Sequence, residues 1–210
     1  MIPFNPQILD ISVHNGKIDA AKMASRGVHT VWVRSSIRLT GYDANYATNQ
    51  QALRRENIQV NLYHLWDSRW DWFGQLENIK KQSSICPVGD QHHMEIAIDV
   101  EEAFRRTRPQ VDNMYKLLDS IQEHYGRSPW IYTSIGFWNN WANSGPVYWA
   151  REFPLWVSDV NSREFPLIPS DWKIWHLWQC SGDGNGLGSW FGVESGSVDL
   201  NKANPTLERD

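Results

Sequence analysis

The amino-acid sequence predicts an α/β fold in which about eight strands close into a barrel, with short or missing helices in its C-terminal third. Apolar runs of strand length alternate with helical patterns through the first two-thirds of the chain, which is typical of parallel β-α units. The 210 residues are few for such a barrel, which usually has about 250, so the last helices must be reduced. The main alternative is an open doubly wound sheet, but residues 12–16 lack its glycine-rich phosphate turn.

The predicted strands are runs of β-branched, aliphatic and aromatic residues, which favour a pleated surface, and turn signals such as Asn15-Gly16 separate them. The fourth run is apolar until it ends in the carboxylates Asp99, Glu101 and Glu102. In chain order the predicted strands are 7–13, 30–35, 60–65, 95–99, 130–133, 155–160, 174–179 and 197–200.

The predicted helices follow from capping residues and from apolar residues at helical spacing. Asp19 is suited to N-cap a helix over 20–26 that Gly27 ends. Further helices are predicted over about 44–56 and about 137–142. Another follows the third strand and ends at about Lys81. The clearest helix follows Pro109, because its apolar residues share one face: Val111, Met114, Leu117, Leu118 and Ile121.

Composition and charge exclude several classes of protein. We expect one domain over residues 1–210, because no linker or low-complexity run divides the chain. A net charge of −4, without a basic block, argues against nucleic-acid binding. No apolar run approaches the roughly 20 residues that span a membrane, so we expect no membrane insertion. No signal peptide is visible at the N-terminus.

Cysteine and tryptophan leave two questions open. Cys86 and Cys180 form no Cys-x-x-Cys pair, and one disulfide is as economical as two free thiols. The 13 tryptophans are compatible with core packing and with a groove that stacks on sugar rings, and neither explanation is favoured.

Acidic residues mark the candidate site. Asp99 and Glu101 are two apart on a predicted strand, so their side chains share a face, with Cα atoms roughly 6.6 Å apart. Two carboxyl groups at this spacing can act on one bond, whereas the alternative is a strand end with solvated acids.

A barrel collects these acids at one mouth, because active sites of parallel barrels lie at the C-terminal ends of the strands. Its first and last strands are neighbours, so Asp10 and Asp199 are expected to approach each other. Mutually repelling carboxylates raise the proton affinity of at least one, as two-carboxylate glycosidases require. Other polar or aromatic candidates near the strand ends are Tyr63, Tyr132, Trp156, Gln179 and Trp66.

These residues resemble the motifs of glycoside hydrolase family 25, the Chalaropsis-type lysozymes or N-acetylmuramidases. The resemblance covers most of the chain, and its order and spacing are more specific than any single piece. The motifs are Ile8-Leu9-Asp10-Ile11-Ser12, Tyr63-His64, Asp99-Val100-Glu101, Trp178-Gln179-Cys180-Ser181 and Val198-Asp199-Leu200-Asn201.

The resemblance implies an irregular TIM-like (β/α) barrel that cleaves the β-1,4 bond between N-acetylmuramic acid and N-acetylglucosamine in peptidoglycan. By position, Glu101 would be the general acid, and Asp99 would stabilise positive charge or orient the N-acetyl group. Asp10 and Asp199 would be supporting acids. The five polar and aromatic candidates would contact substrate, with no metal or other cofactor. The implied setting is the bacterial cell wall, where the protein would act as a monomer, outside the cell or after phage release.

The chain departs from the family pattern around the sugar subsites, which makes it a divergent member. Family members commonly carry Lys-Ala-Thr/Ser-Glu-Gly after the second strand, where this chain has Arg34-Ser35-Ser36-Ile37-Arg38. Asn61-Leu62 replaces the small residues before Tyr-His, and Ser158-Asp159-Val160 replaces Ala-x-Tyr. These changes affect the prediction of substrate preference more than that of the reaction.

Three other functions compete with this interpretation. A metal-dependent barrel hydrolase would use Asp10, His14, His64 and Asp99, although no strand carries His-x-His. An inactive sugar-binding barrel would suit the aromatic surplus but would not need Glu101. A chitinase-like glycosidase would have a further Asp two residues before Asp99, where this chain has Ala97.

Overall fold

The computed structural model describes residues 7–85, 94–101, 108–141, 145–160 and 164–207. Its strands are β1 (Ile8–Ile11), β2 (Thr30–Ile37), β3 (Gly41–Tyr42), β4 (Gln59–Leu65), β5 (Ile96–Asp99), β6 (Trp130–Ser134), β7 (Leu155–Ser158), β8 (Leu177–Ser181) and β9 (Asp199–Ala203). Its α-helices are α1 (Ala20–Ser25), α2 (Tyr46–Arg55), α3 (Trp72–Ser83), α4 (Arg108–Tyr125) and α5 (Ile135–Trp141).

Eight of these strands form a closed barrel in the order β1, β2, β4, β5, β6, β7, β8 and β9, with β9 pairing back to β1. The short β3 only extends β2 as an antiparallel hairpin. The predicted barrel is therefore confirmed, and the open sheet is not observed in the described part of the chain.

The last strand differs from the expected parallel barrel, because β9 runs antiparallel to both β8 and β1. A parallel strand needs a crossover connection, usually a helix. Between β8 and β9 the chain forms only the 3-10 turns Gly184–Gly186 and Ser189–Phe191. The chain therefore turns back at the mouth where β8 ends, and β9 begins there.

The helices cover the barrel unevenly, as predicted. Asp19 caps α1 by accepting a hydrogen bond from the backbone N–H of Lys22 at 2.9 Å. After α5, the described residues form no further α-helix, and 3-10 turns take its place. None of the described helices combines the length and hydropathy needed to cross a lipid bilayer.

Alternation along the strands separates two kinds of core. Outward-facing residues of β5, such as Ile96 and Ile98, pack with α4 residues such as Met114. Inward-facing residues fill the barrel itself, where Trp32 lies 5.0 Å from Trp156 between ring centroids. This period of two is the reason why polar residues near the strand ends face the interior together.

Packing accounts for most of the tryptophans. Seven of the thirteen are buried, whereas Trp70 and Trp190 are the only ones more than a third exposed. The buried ones are Trp32, Trp66, Trp138, Trp141, Trp156, Trp172 and Trp178. The surplus therefore fills cores, and a long aromatic groove is not its main use. Whether Cys180 pairs with Cys86 stays open, because Cys86 lies outside the described residues.

Candidate active site

The C-terminal mouth of the barrel holds a cavity of about 70 Å³ that brings together the four predicted acids and four of the five other predicted site residues. Asp199 reaches this mouth from the first position of β9, because that strand runs opposite to the others. The lining residues are Asp10, Tyr63, Asp99, Glu101, Tyr132, Trp156, Gln179 and Asp199.

Asp10 and Asp199 are directly opposite each other across β1 and β9, and their side chains share a hydrogen bond. Asp10 is 5% exposed. Its Oδ2 accepts two amide hydrogen bonds, from Asn201 Nδ2 at 2.8 Å and from Gln179 Nε2 at 3.1 Å. Barrel closure thus pairs a buried carboxyl group with a partly buried one, as predicted from the first and last strands being neighbours.

Burial and mutual repulsion make this pair hold a proton. Burial raises the pKa of Asp10, although the hydrogen bonds from Asn201, Gln179 and Asp199 oppose that effect. Burial, followed by the charge of Asp10 and its hydrogen bond, raises the pKa of Asp199 to about 9. The amide donors favour the ionised form of Asp10, so the shared proton resides on Asp199 at neutral pH.

Asp99 and Glu101 occupy a different environment: Asp99 ends β5, and Glu101 is two residues beyond it. Val100 between them faces outward and is fully buried in the core. Its backbone is fixed by β6, because its N–H donates to Tyr132 O at 2.8 Å and Thr133 Oγ1 donates to its carbonyl at 2.9 Å. Asp99 is 6% exposed, whereas Glu101 is exposed at the mouth.

Two tyrosines line the cavity as neutral hydrogen-bond donors. Burial, reinforced by the negative charges of the acids, raises the pKa of Tyr63 and of Tyr132 well above the usual 10. The Tyr132 hydroxyl donates to Gln179 Oε1 at 2.9 Å. Both phenols therefore keep their protons at neutral pH.

The prediction that Trp66 contacts substrate is wrong. Its side chain is 1% exposed and packs in the outer core, with its ring 5.5 Å from that of Trp141. Trp66 follows β4 directly, and its backbone N–H donates to Asp99 O at 3.1 Å. The strand register thus places it near the site but turns its ring outward.

His64 also faces away from the acids. Its ring nitrogens lie 2.7 Å from Ser36 Oγ and 3.2 Å from Gln75 Oε1. Burial lowers the pKa of His64 to about 4, so the ring is neutral. This placement separates His64 from Asp10 and Asp99, with which the metal-dependent alternative grouped it. Among the described residues, no three His, Cys, Asp or Glu side chains are grouped to hold a metal ion.

Sequence reasoning assigned no role to Asn201, although a signal for one existed. Asn201 is two residues after Asp199 on the same strand, so both side chains face the barrel interior. It is 1% exposed and touches Asp10. Arg34 on β2 pairs its guanidinium with the buried Asp43 at 3.1 Å.

A larger hollow of about 600 Å³ lies at the opposite end of the barrel, near the start of β1 and the end of β9. Its lining includes Trp175, Phe165 and Lys202, but Glu164 is its single carboxylate among the described lining residues. Acid–base chemistry needs paired carboxyl groups more than volume, so the smaller acidic cavity is the better candidate.

Comparison with known structures places the fold among lysozymes. A lysozyme from Streptomyces coelicolor has a TM-score of 0.81 and 20% identity, with 96% of this chain and 93% of that chain covered. A family 25 lysozyme from Aspergillus fumigatus gives 0.78 and 18%, covering 96% and 95%. The catalytic domain of endolysin ply40, from bacteriophage P40 of Listeria monocytogenes, gives 0.68 and 16%, covering 98% and 96%.

Sequence comparison gives the family. None of the curated protein sequences compared with the chain matches it. The model of the glycosyl hydrolases family 25, however, matches residues 9–189. That match covers most of the chain and includes Asp10, Asp99 and Glu101. The resemblance seen in the sequence motifs is confirmed, and the protein is a glycoside hydrolase that belongs to family 25.

Proposed function

We propose that the protein is a peptidoglycan muramidase that hydrolyses the β-1,4 bond between N-acetylmuramic acid and N-acetylglucosamine. The observation that carries this proposal is the convergence of four carboxyl groups, from β1, β5 and β9, on one cavity at the barrel mouth. Family 25 membership and the lysozyme fold support the same substrate class.

Glu101 is the proposed general acid, which protonates the leaving glycosidic oxygen. Its exposed position at the mouth suits a group that must meet the bond from the solvent side. Asp99, deeper and nearly buried, is proposed to remain charged, to stabilise positive charge on the sugar or to orient its N-acetyl group. Either a carboxylate or the acetamido group then serves as the nucleophile.

Tyr63, Tyr132, Trp156 and Gln179 are the proposed substrate contacts. The neutral Tyr63 phenol is a donor for a sugar oxygen, because its pKa is raised. The Tyr132 hydroxyl donates to Gln179, so its oxygen is offered to the sugar as an acceptor. Asp10 and Asp199 are proposed to support the reacting acids from the other side of the cavity. No metal or other cofactor is proposed for any of these steps.

We further propose that residues 1–210 form one catalytic domain that acts as a monomer on the bacterial cell wall, outside the producing cell or after phage release. The pairing of β1 with β9, from opposite ends of the chain, supports a single domain.

The test compares the wild type with Glu101→Gln on purified bacterial cell walls. We expect new reducing ends of N-acetylmuramic acid with the wild type, and a rate reduced about 10²- to 10⁴-fold in the variant, as for loss of a general acid. The exposed Glu123 on α4 provides a matched control, since Glu123→Gln removes one surface carboxylate and should leave the rate unchanged.

Other products would lead to other conclusions. Reducing N-acetylglucosamine ends, or cleavage of chitin in place of cell walls, would support the chitinase-like alternative. Binding to cell walls without any cleavage would support an inactive sugar-binding barrel. A rate that Glu101→Gln does not change would refute the proposed role of Glu101.

A further inference from the structure

A chain of hydrogen bonds beneath the cavity links an indole ring to the carboxyl pair. Trp156 Nε1 donates to Asn201 Oδ1 at 2.8 Å, and Asn201 Nδ2 donates to Asp10 Oδ2 at 2.8 Å. All three residues are buried, with exposed fractions of 2%, 1% and 5%. The network lies inside the barrel and connects β7, β9 and β1.

The indole fixes the direction of this chain. An indole N–H can donate but cannot accept, so the atom of Asn201 that faces it must be the carbonyl oxygen. The amide nitrogen of Asn201 must then face Asp10. This removes the ordinary ambiguity between the oxygen and nitrogen of an amide side chain. Asp10 Oδ2 is therefore an acceptor and carries no proton.

Gln179 acts on the same oxygen atom. Its Oε1 accepts from Tyr132 OH at 2.9 Å and from Ser158 Oγ at 3.0 Å. Tyr132 keeps its proton, so it acts as a donor here. The amide nitrogen of Gln179 is thereby turned toward Asp10 Oδ2, at 3.1 Å.

We propose that Asn201 and Trp156 are positioning residues that act through Asp10: they keep Asp10 ionised and place the proton of the carboxyl pair on Asp199. The hydrogen bond between the two carboxyl groups needs one proton, and Asp10 Oδ2 is occupied by two N–H donors. The two donors stabilise the ionised form of Asp10 over a form protonated on Oδ1, so Asp199 supplies the proton. The consequence for hydrolysis rests on the proposed muramidase function, but the position of the proton does not.

Other titratable groups act on this pair from several elements around the cavity. Glu101 and Asp183 repel a charge on Asp199. Tyr63 and Tyr132 face Asp10 and Asp99 and stay neutral, and Arg34 acts on Tyr63. In the proposed complex with a sugar, Asp10 is then the ionised member of the pair. Asp199 is neutral and adds no second negative charge beside Glu101.

The test replaces Asn201 by leucine, which has a similar volume and no donor. Carboxyl ¹³C chemical shifts of labelled aspartates report the protonation state of each carboxyl group and do not depend on enzyme activity. The signal that disappears in Asp199→Asn is assigned to Asp199. In the wild type we expect Asp199 to titrate above pH 7. In Asn201→Leu the titration of Asp10 should move up by about one to two pH units, since hydrogen bonds to charged groups have that strength. The acidic limb of the hydrolysis profile should move with it.

Trp156→Phe and Asn204→Leu complete the series. Trp156→Phe keeps the Asn201 amide but no longer fixes its orientation, so we expect a smaller upward shift in the titration of Asp10. This variant takes the place of Asn201→Leu if that variant fails to fold. Asn204 is a buried Asn directly after β9, and its Nδ2 donates to Trp175 O at 2.7 Å. Asn204→Leu should leave both titrations unchanged.

The outcomes separate this inference from the proposed function. Titrations of Asp10 and Asp199 that neither Asn201→Leu nor Trp156→Phe changes would overturn the inference, whatever the activity. An Asp199 that is already ionised at pH 7 in the wild type would also overturn it. The expected titrations in a protein that does not cleave cell walls would uphold the proton position and refute only the muramidase proposal.

Discussion

The two pairs of acids at the barrel mouth have the same chemistry but different neighbours. Asp10 and Asp199 lie opposite each other on adjacent strands, share a hydrogen bond and are served by amide donors. Asp99 and Glu101 lie along one strand direction, with the outward-facing Val100 between them. Register across strands places two carboxyl groups directly opposite each other, whereas spacing along a strand sets their Cα atoms roughly 6.6 Å apart. The first arrangement shares one proton, and the second allows two separate roles.

The largest effect that separates the pairs is expected from replacing one acid in each by asparagine. Asp99→Asn removes the charge proposed to act beside the reacting sugar and should lower the rate on cell walls about 10²- to 10³-fold, the cost typical of losing electrostatic stabilisation in an active site. Asp199→Asn replaces a neutral carboxyl by a neutral amide that still donates to Asp10, so its loss should stay below about tenfold.

Initial rates at pH 6, with thermal melting of each variant as a folding control, check this difference. Equal losses in the two variants would mean that Asp199 also works as an anion, and the distinction between the pairs would fail.

A smaller effect is expected in the pH dependence of stability. The unfolded Asp199 is ionised above its ordinary pKa, while the folded protein holds the proton until about pH 9. The folded state therefore binds more protons in this range, and the free energy of unfolding falls as pH rises, by at most ~1.4 kcal/mol per pH unit. Asp199→Asn should flatten this fall.

The window from pH 7 to 8 isolates the carboxyl pair. His64 is neutral there in the folded state, because its pKa is about 4, and the small fraction of unfolded chains that carry its proton near pH 7 is the same in wild type and variant. The pKa of Cys180 is raised by burial, and this group begins to contribute only at higher pH. Denaturant titrations of wild type and Asp199→Asn at pH 7 and pH 8 measure the free energy of unfolding. An equal change with pH in the two proteins would contradict a proton on Asp199.

The smallest effect is expected for Tyr132→Phe, which removes one of the two hydroxyl donors to Gln179 Oε1. Ser158 still orients the amide, so the rate should fall only about two- to tenfold, the value of one net hydrogen bond. Tyr148, which is 68% exposed, gives a control in Tyr148→Phe with an unchanged rate. A loss as large as that of Asp99→Asn would assign Tyr132 a direct part in the reaction.

The local parts of the fold and site were predictable from the sequence. The apolar run before Asp99 forms β5, and Asp19 caps α1 as its position indicated. Trp66 was predicted wrongly, because position beyond a strand end does not reveal which way a side chain turns. The polar β9 extends to Ala203, past the predicted 197–200, because its inward residues pair with groups from distant strands.

By itself, the sequence determined which residues share a face, since the period of two along a strand is a local property. It placed Asp99 with Glu101 and, in retrospect, Asp199 with Asn201. The prediction of a closed barrel also brought Asp10 near Asp199. Only the tertiary structure decided that β9 is antiparallel and that the two acids are directly opposite each other, because both depend on how the barrel closes. The position of the shared proton needed the closed barrel as well. It follows from an indole on β7 that orients an amide on β9 toward a carboxylate on β1.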